Sequence, residues 1–538
     1  MAPDGRSAGR PATTSNIPPS EAPLTSQAPK LPVEALASSC APPPLSLPTS
    51  SAPPFSSATL APIPAARNQR STPKPDAAAV FRAYPKVDTA AIAAFHRQLP
   101  HYAATPLRSL PTIAADVGVR NVLLKDESDR FGLPSFKILG ASWAVYKALA
   151  NAVGLNTINP DGTPLSLETL AATVRAYNES CLKGGGLRPL QILSTTEGNW
   201  GRALARMARY AGGVACRLYV PAFMPQSTRD ILVREGADVR VVPGGNYDDC
   251  VAVVRAEADR DSSLLLILDV GFDGHEEVAQ WVVDGYSTML VETDEQVLEA
   301  ADGLVATHVV VPVGAGSIGQ AVTAHYRKHV HEGDGGTASH DAHEGSRPPA
   351  SHAEGVRDGR EGLPDKQRRR TAVLAVEADT AACLRASLAV GRRVTVATAD
   401  TIMCGLNCGT LSQTAWPVLQ AGVDFCVAVS DRQAHVAVQQ LWNVDTSAIV
   451  DDGDSDTTSA EASRRGSKGV ATSARTKKPR VIETAAAGGI AAGPCGAATL
   501  AGLRKMCFEA RDVLKLDSES VVVLFCTEGA REYAVPYV

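Results

Sequence analysis

The chain has 538 residues, with 52 Lys and Arg against 57 Asp and Glu, a formal net charge of -5 and a pI of about 6.2. This length holds more than one domain, and interspersed charges of both signs exclude a binder driven by neutralising nucleic-acid phosphates. The 11 cysteines are odd in number and irregularly spaced, so they read as reduced core thiols of an intracellular protein and not as a disulfide framework. No run reaches transmembrane length, and no signal-peptide core opens the chain.

Residues 1–75 are rich in Pro, Ser, Ala and Thr. Such a segment cannot bury enough apolar surface to offset its ordering entropy, so a disordered extension is expected. Two later stretches, about 331–370 and 445–480, are expected to be disordered surface inserts. The first is rich in Gly, His and charge; the second is rich in Asp and Ser and then basic. In chain order, the expected strands are Val122–Lys125, Gln191–Ser194, Ala215–Val220, Asp238–Val242, Leu264–Leu268, His308–Val313, Ala372–Val376 and Val521–Phe525. Amphipathic helices are expected at Gly201–Tyr210, Thr228–Glu235 and Gly319–His329. The alternation predicts an α/β protein with mostly parallel sheets covered by helices on both faces.

Five segments carry candidate chemistry. Lys137 lies between Phe136 and Ile138 at the start of a helix-like run. Burial disfavours an ammonium, so a lowered pKa and a usable amine nucleophile are expected; the alternative is a lysine that snorkels to water. The segment Ser194–Gly201 follows a strand and opens a helix. There Thr195, Thr196 and Gly198 suit a substrate carboxylate, Asn199 suits a ring oxygen, and Glu197 suits an acid or base. A plain cap with a first-turn acid is compatible with the same residues.

Asp269 follows the fifth strand, where carboxylates face the ligand crevice of an open α/β sheet, or where an ordinary Asp/Gly turn forms. Gly314, Ala315, Gly316, Ser317, Ile318 and Gly319 join a buried strand to a helix as a glycine-rich anion site. The segment also fits a dinucleotide fingerprint, against which stands its late position in the chain; a tight turn without a ligand is the third reading. Cys526 and Thr527 end the last strand, as a neutral partner for a pyridine nitrogen or as a core thiol and a helix cap. Cys404 and Cys408 lack a second pair at zinc spacing, so no structural metal is expected.

Taken in order, these segments resemble the fold-type II pyridoxal phosphate enzymes, the tryptophan synthase β-like group, and within it the diaminopropionate ammonia-lyase family. Ser135–Lys137 is similar to the Schiff-base motif and Gly314–Gly319 to the phosphate cup. The narrower likeness rests on Ser135–Ala141, Thr196–Arg202, Asn246–Asp249, Val376–Asp379 with Cys383, Thr401–Gly409 and Cys526–Gly529. It spans nearly all of the chain from about residue 80 onwards, outside the two inserts.

The resemblance implies two open, twisted, mostly parallel sheets flanked by helices. A large cofactor domain would take residues 76–184 and 246–538, and a small domain residues 185–245. It implies pyridoxal phosphate on Lys137, with the phosphate on Gly314–Gly319, Asn199 at the ring oxygen, and Cys526 or Thr527 at the ring nitrogen. The implied reaction is α,β-elimination of 2,3-diaminopropionate to pyruvate and ammonia. Lys137 would take the α-proton of the L-isomer, Glu197 that of the D-isomer, and Asp269 would assist the departing β-amine.

A small amino-acid substrate, a cytoplasmic homodimer, and no nucleic-acid or membrane partner complete the expectation. The chain departs from the pattern at Glu197, where the family carries Asp, at Trp200, where it carries His, and across residues 493–497. The alternatives are a serine or threonine dehydratase-like lyase and a catalytically impaired pyridoxal phosphate-binding protein.

Overall fold

The computed structural model describes residues 66–67, 76–184, 187–244, 247–328, 370–444 and 488–536. Apart from Ala66, Arg67 and Arg370, the three stretches expected to be disordered lie outside the described residues, as does Asn246 of the Asn246–Asp249 motif.

Eleven strands are described: β1 (Ala66–Arg67), β2 (Leu107–Ser109), β3 (Asn121–Asp126), β4 (Gln191–Thr195), β5 (Ala215–Pro221), β6 (Asp238–Val242), β7 (Leu264–Leu266), β8 (His308–Pro312), β9 (Ala372–Ala378), β10 (Phe425–Val429) and β11 (Val521–Cys526). They form a seven-stranded sheet in the order β1-β10-β9-β8-β11-β3-β2 and a four-stranded sheet in the order β6-β5-β4-β7. Every pairing is parallel except at the two edges of the larger sheet, where β1 and β2 run antiparallel to β10 and β3. This is the two-sheet, mostly parallel architecture expected from the chain.

In the larger sheet β8, β10 and β11 are buried along their whole length because both faces are covered. Along β11, Val521, Val523 and Phe525 enter one core, and Val522, Leu524 and Cys526 enter the other. All eight expected strands are present, with β7 ending at Leu266, two residues early. Three strands were not expected. One, β1, falls inside the stretch read as a disordered extension and pairs with β10, Ala66 opposite Cys426 and Arg67 opposite Phe425. The four-stranded sheet also reaches past residue 245: β7 is its edge, and the helix Tyr247–Ala258 lies against β4, β5 and β7.

Two features fix the start of the helix Lys137–Ala152. The first is its contact with the helix Glu276–Gly285. A Cβ on Gly140 would lie 2.6 Å from Tyr286 Cε1, and a Cβ on Gly285 would lie 2.5 Å from Leu139 O. The two backbones therefore meet with no side chain between them. The second is a buried charge cluster around the loop that leads from β3 to Lys137. Lys125 Nζ donates to Glu292 Oε2 at 3.0 Å, and Arg130 donates to Glu292 Oε2 at 2.7 Å and to Glu127 Oε2 at 2.9 Å. Two cations meet two carboxylates, so no buried charge is left unpaired.

Candidate active site

In parallel sheets the C-terminal strand ends open onto one crevice, and the sequence candidates gather there. Lys137 is the first residue of its helix. Its Nζ donates to Asp269 Oδ2 at 2.5 Å and lies 5.7 Å from the Phe136 ring centroid and 5.8 Å from that of Trp200. Burial opposes the ammonium, but the Asp269 carboxylate overrides it and holds the lysine pKa above its ordinary value. The expected lowered pKa is thus corrected: the apolar neighbours are present, but a carboxylate 132 residues along the chain reverses their effect.

The segment after β4 forms the next wall. Gly198 has φ 143°, a left-handed conformation that favours glycine, and it turns the chain into the helix Asn199–Tyr210. Thr196 Oγ1 accepts from the N–H groups of Gly198 at 3.0 Å and Gly201 at 2.9 Å, so it is the cap, while Thr195 is fully buried. Trp200 Nε1 donates to Ser194 Oγ at 3.1 Å, which turns its ring toward Lys137.

Glu197 faces Arg531, Lys137, Asp269 and Asp248. Burial pushes its carboxyl up to about 8, against the pull of Arg531 and Lys137. Near neutral pH the protonated form therefore predominates, and the ionised form grows as pH rises through about 8.

The glycine turn follows β8. Its glycines are occupied by protein: a Cβ on Gly314 would lie 2.8 Å from Gly405 O, one on Gly316 2.9 Å from Ala415 Cβ, and one on Gly319 3.0 Å from Val313 Cγ2. Ile318 is a core side chain and Ser317 is buried. The N–H groups of Ser317, Ile318 and Gly319 open the helix Ser317–Lys328 and donate to no backbone carbonyl among the described residues. These first-turn donors, with the helix dipole behind them, could hold an anion.

One residue joins the turn to the Asp269 loop. Ser412 N donates to Ala315 O at 2.7 Å, and Ser412 Oγ accepts from Gly271 N at 2.8 Å.

The end of β11 is clamped to the lysine loop, since Gly529 N donates to Pro134 O at 3.0 Å and Ser135 bridges Glu528. Cys526 is fully buried, with Sγ 3.6 Å from Glu528 O and against Gly496; Thr527 is buried beside it. Asn199 Nδ2 donates to Glu528 Oε2 at 3.2 Å, so in this structure it meets a carboxylate at the place where a ring oxygen was expected.

Sequence reading assigned no role to Glu528, Arg531, Tyr247, Tyr286 or Cys408. Glu528 accepts from Asn199 and from Cys495 N at 3.0 Å and pairs with Arg531. Tyr247 and Cys408 both lie within the charge field of Asp269 and Glu197. Tyr247, Cys408 and Glu528 lie in segments that carry the family likeness, but their roles depend on what they face in the fold; Tyr286 and Arg531 lie in none of those segments.

A lysine at the crevice, a helix start with free donors on one side of it, and two carboxylates within its field fit a cofactor that pairs an aldehyde with a phosphate. This is the site of a pyridoxal phosphate enzyme. The chain belongs to the pyridoxal-phosphate dependent enzyme family, whose model matches residues 98–449. It is similar to the diaminopropionate ammonia-lyase of Salmonella typhimurium, 29% identical over 344 residues that cover 63% of this chain and 72% of that one. The Escherichia coli enzyme of the same name is 28% identical over 350 residues, covering 65% of this chain and 73% of that protein. The holo crystal structure of the Escherichia coli enzyme shares the fold, with a TM-score of 0.60 at 23% identity over 86% of this chain and 93% of that chain.

Proposed function

We propose that this protein catalyses pyridoxal phosphate-dependent α,β-elimination of 2,3-diaminopropionate to pyruvate and ammonia. The observation that carries this reading is the 2.5 Å contact between Lys137 Nζ and Asp269 Oδ2, with Glu197 facing the same pair. Diaminopropionate ammonia-lyases of two bacteria match 63% and 65% of the chain.

The cofactor, when bound to Lys137, supplies the electron sink for removal of an α-proton. Ser317, Ile318 and Gly319 would hold its phosphate through backbone N–H groups. Thr527 or Cys526 would stand at the ring nitrogen, with Asn199 at the ring oxygen once released from Glu528. Thr195, Thr196 and Gly198 form the wall that receives the substrate carboxylate.

Released as a free amine, Lys137 takes the α-proton of the L-isomer. Asp269 is within hydrogen-bonding distance, so the proton passes from Nζ to the carboxylate and on to the departing β-amine, which leaves as ammonia. Proton transfers of this kind contribute roughly a hundred- to ten-thousandfold each. The elimination product hydrolyses to pyruvate and a second ammonia. Glu197 is the base for the D-isomer, in its ionised form. Phe136 and Trp200 shield the lysine from water.

The chain acts as a homodimer in the cytoplasm, with a smaller domain built on the four-stranded sheet.

A serine or threonine dehydratase is the rival, favoured by a local likeness: L-threonine dehydratase of Corynebacterium glutamicum is 33% identical over 133 residues, 24% of this chain and 28% of that one. Pyruvate or oxobutyrate release from D- and L-diaminopropionate, L-serine and L-threonine separates the two. Turnover of diaminopropionate above the hydroxy amino acids is the expected result, and absence of pyruvate from both diaminopropionate isomers overturns the proposal.

A further inference from the structure

Tyr286 stands out among the buried polar groups that the reaction does not use. It lies just beyond the helix Glu276–Gly285, outside the glycine turn and outside every motif that marks the site in the sequence. The residue is fully buried, and its hydroxyl makes no hydrogen bond with any described residue. A phenol buried in that way is costly unless a partner arrives.

The ring cannot turn away. It packs on Phe136 with centroids 4.7 Å apart, and the Gly140 backbone leaves it no room, since even a Cβ there would come within 2.6 Å of Cε1. The hydroxyl lies beside Ser317 without closing a hydrogen bond to it, and within the charge field of Lys137 and Asp269. It is therefore a neighbour both of Lys137 and of the helix start whose first-turn N–H groups have no backbone acceptor among the described residues.

We infer that Tyr286 is a ligand of the cofactor phosphate, donating its hydroxyl proton to a phosphate oxygen opposite the N–H groups of Ser317, Ile318 and Gly319. This rests on the reading that the turn holds the phosphate. It explains why a free phenol is kept dry at this point. It also gives the phosphate a donor from a separate helix, one whose backbone touches the helix that starts with Lys137.

The test is release and reloading of cofactor on the full-length holoenzyme. Wild type and Tyr286→Phe are stripped and titrated with pyridoxal phosphate and with pyridoxal, following Schiff-base absorbance. Wild type binding the phosphorylated form more tightly establishes the turn as the phosphate site; equal binding of the two forms overturns both that reading and the role of Tyr286.

Given that preference, Tyr286→Phe is expected to weaken pyridoxal phosphate about ten- to a hundredfold, as for one hydrogen bond to a charged group. Pyridoxal affinity is expected to stay at the wild-type value. An unchanged affinity for the phosphate form, or an equal loss for both forms, overturns the assignment of Tyr286 and leaves the turn intact. Melting of the stripped Tyr286→Phe protein at the wild-type temperature excludes a defect in folding at this contact as the cause of the loss.

Discussion

Lys137 Nζ and Asp269 Oδ2 are 2.5 Å apart, and this contact fixes the resting charge of the reactive amine. The carboxylate keeps the lysine protonated against the effect of burial. A protonated lysine is no nucleophile, so Asp269 must take or release a proton whenever the amine reacts.

Asp269→Asn removes the charge and leaves burial to act alone, which lowers the lysine pKa. Cofactor added to stripped Asp269→Asn protein at pH 7 should form its Schiff base faster than on wild type, while elimination falls roughly a hundred- to ten-thousandfold. Stopped-flow absorbance and pyruvate release measure the two effects; slower Schiff-base formation in the variant would contradict the account.

Glu197 gives a pH signature. Its carboxyl is raised to about 8 in the folded chain, so the ionised base appears as pH climbs through 8. Turnover of the D-isomer should rise from pH 7 to 9, and Glu197→Gln should abolish that rise while sparing the L-isomer. The same shift bears on stability. A carboxyl whose folded pKa is raised stabilises the fold at low pH, and that contribution is lost as pH rises towards 8. Glu197→Gln should therefore flatten the fall in melting temperature between about pH 5 and pH 8.

The backbone contact at Gly140 and Gly285 predicts a loss of both stability and alignment. Gly285→Ala forces a Cβ to within 2.5 Å of Leu139 O, and overpacking of this kind costs about 1–3 kcal/mol. Because Leu139 lies two residues from Lys137, turnover should fall further than chemical denaturation alone accounts for. A variant that loses stability but keeps full turnover per folded molecule would place the contact outside the alignment of the lysine.

The buried cluster of Lys125, Glu127, Arg130 and Glu292 predicts a purely structural loss. Arg130→Met leaves two buried carboxylates facing one ammonium, and breaking such a set costs about 3–5 kcal/mol. Denaturant midpoints report the loss, and a change below about 1 kcal/mol would mean that water reaches the cluster.

The parallel strands were legible because β8 and β11 each carry three consecutive valines, Val309–Val311 and Val521–Val523, a pattern that few helices carry. The strand β10 was not, since Phe425–Val429 mixes Phe, Cys and Ala with two separated valines, and period alone does not separate it from a turn of buried helix. With three residues and two respectively, β2 and β1 exist only through pairing with a neighbour. Within the site, Lys137, Glu197 and the glycine turn could be read because each sits at a strand–helix junction. The charge state of Lys137 could not, because the residue that sets it lies far along the chain. Tyr286 and Glu528 were hidden for the same reason: their meaning lies in what they face.

Ser412 holds the glycine turn by its N–H and the Asp269 loop by its hydroxyl, so the two ends of the crevice are not independent. A shift of the turn is therefore felt at the Gly271 N–H, two residues from the Asp269 carboxylate. A serine that touches neither reacting atom thus ties the cradle for the cofactor to the loop that carries the acid.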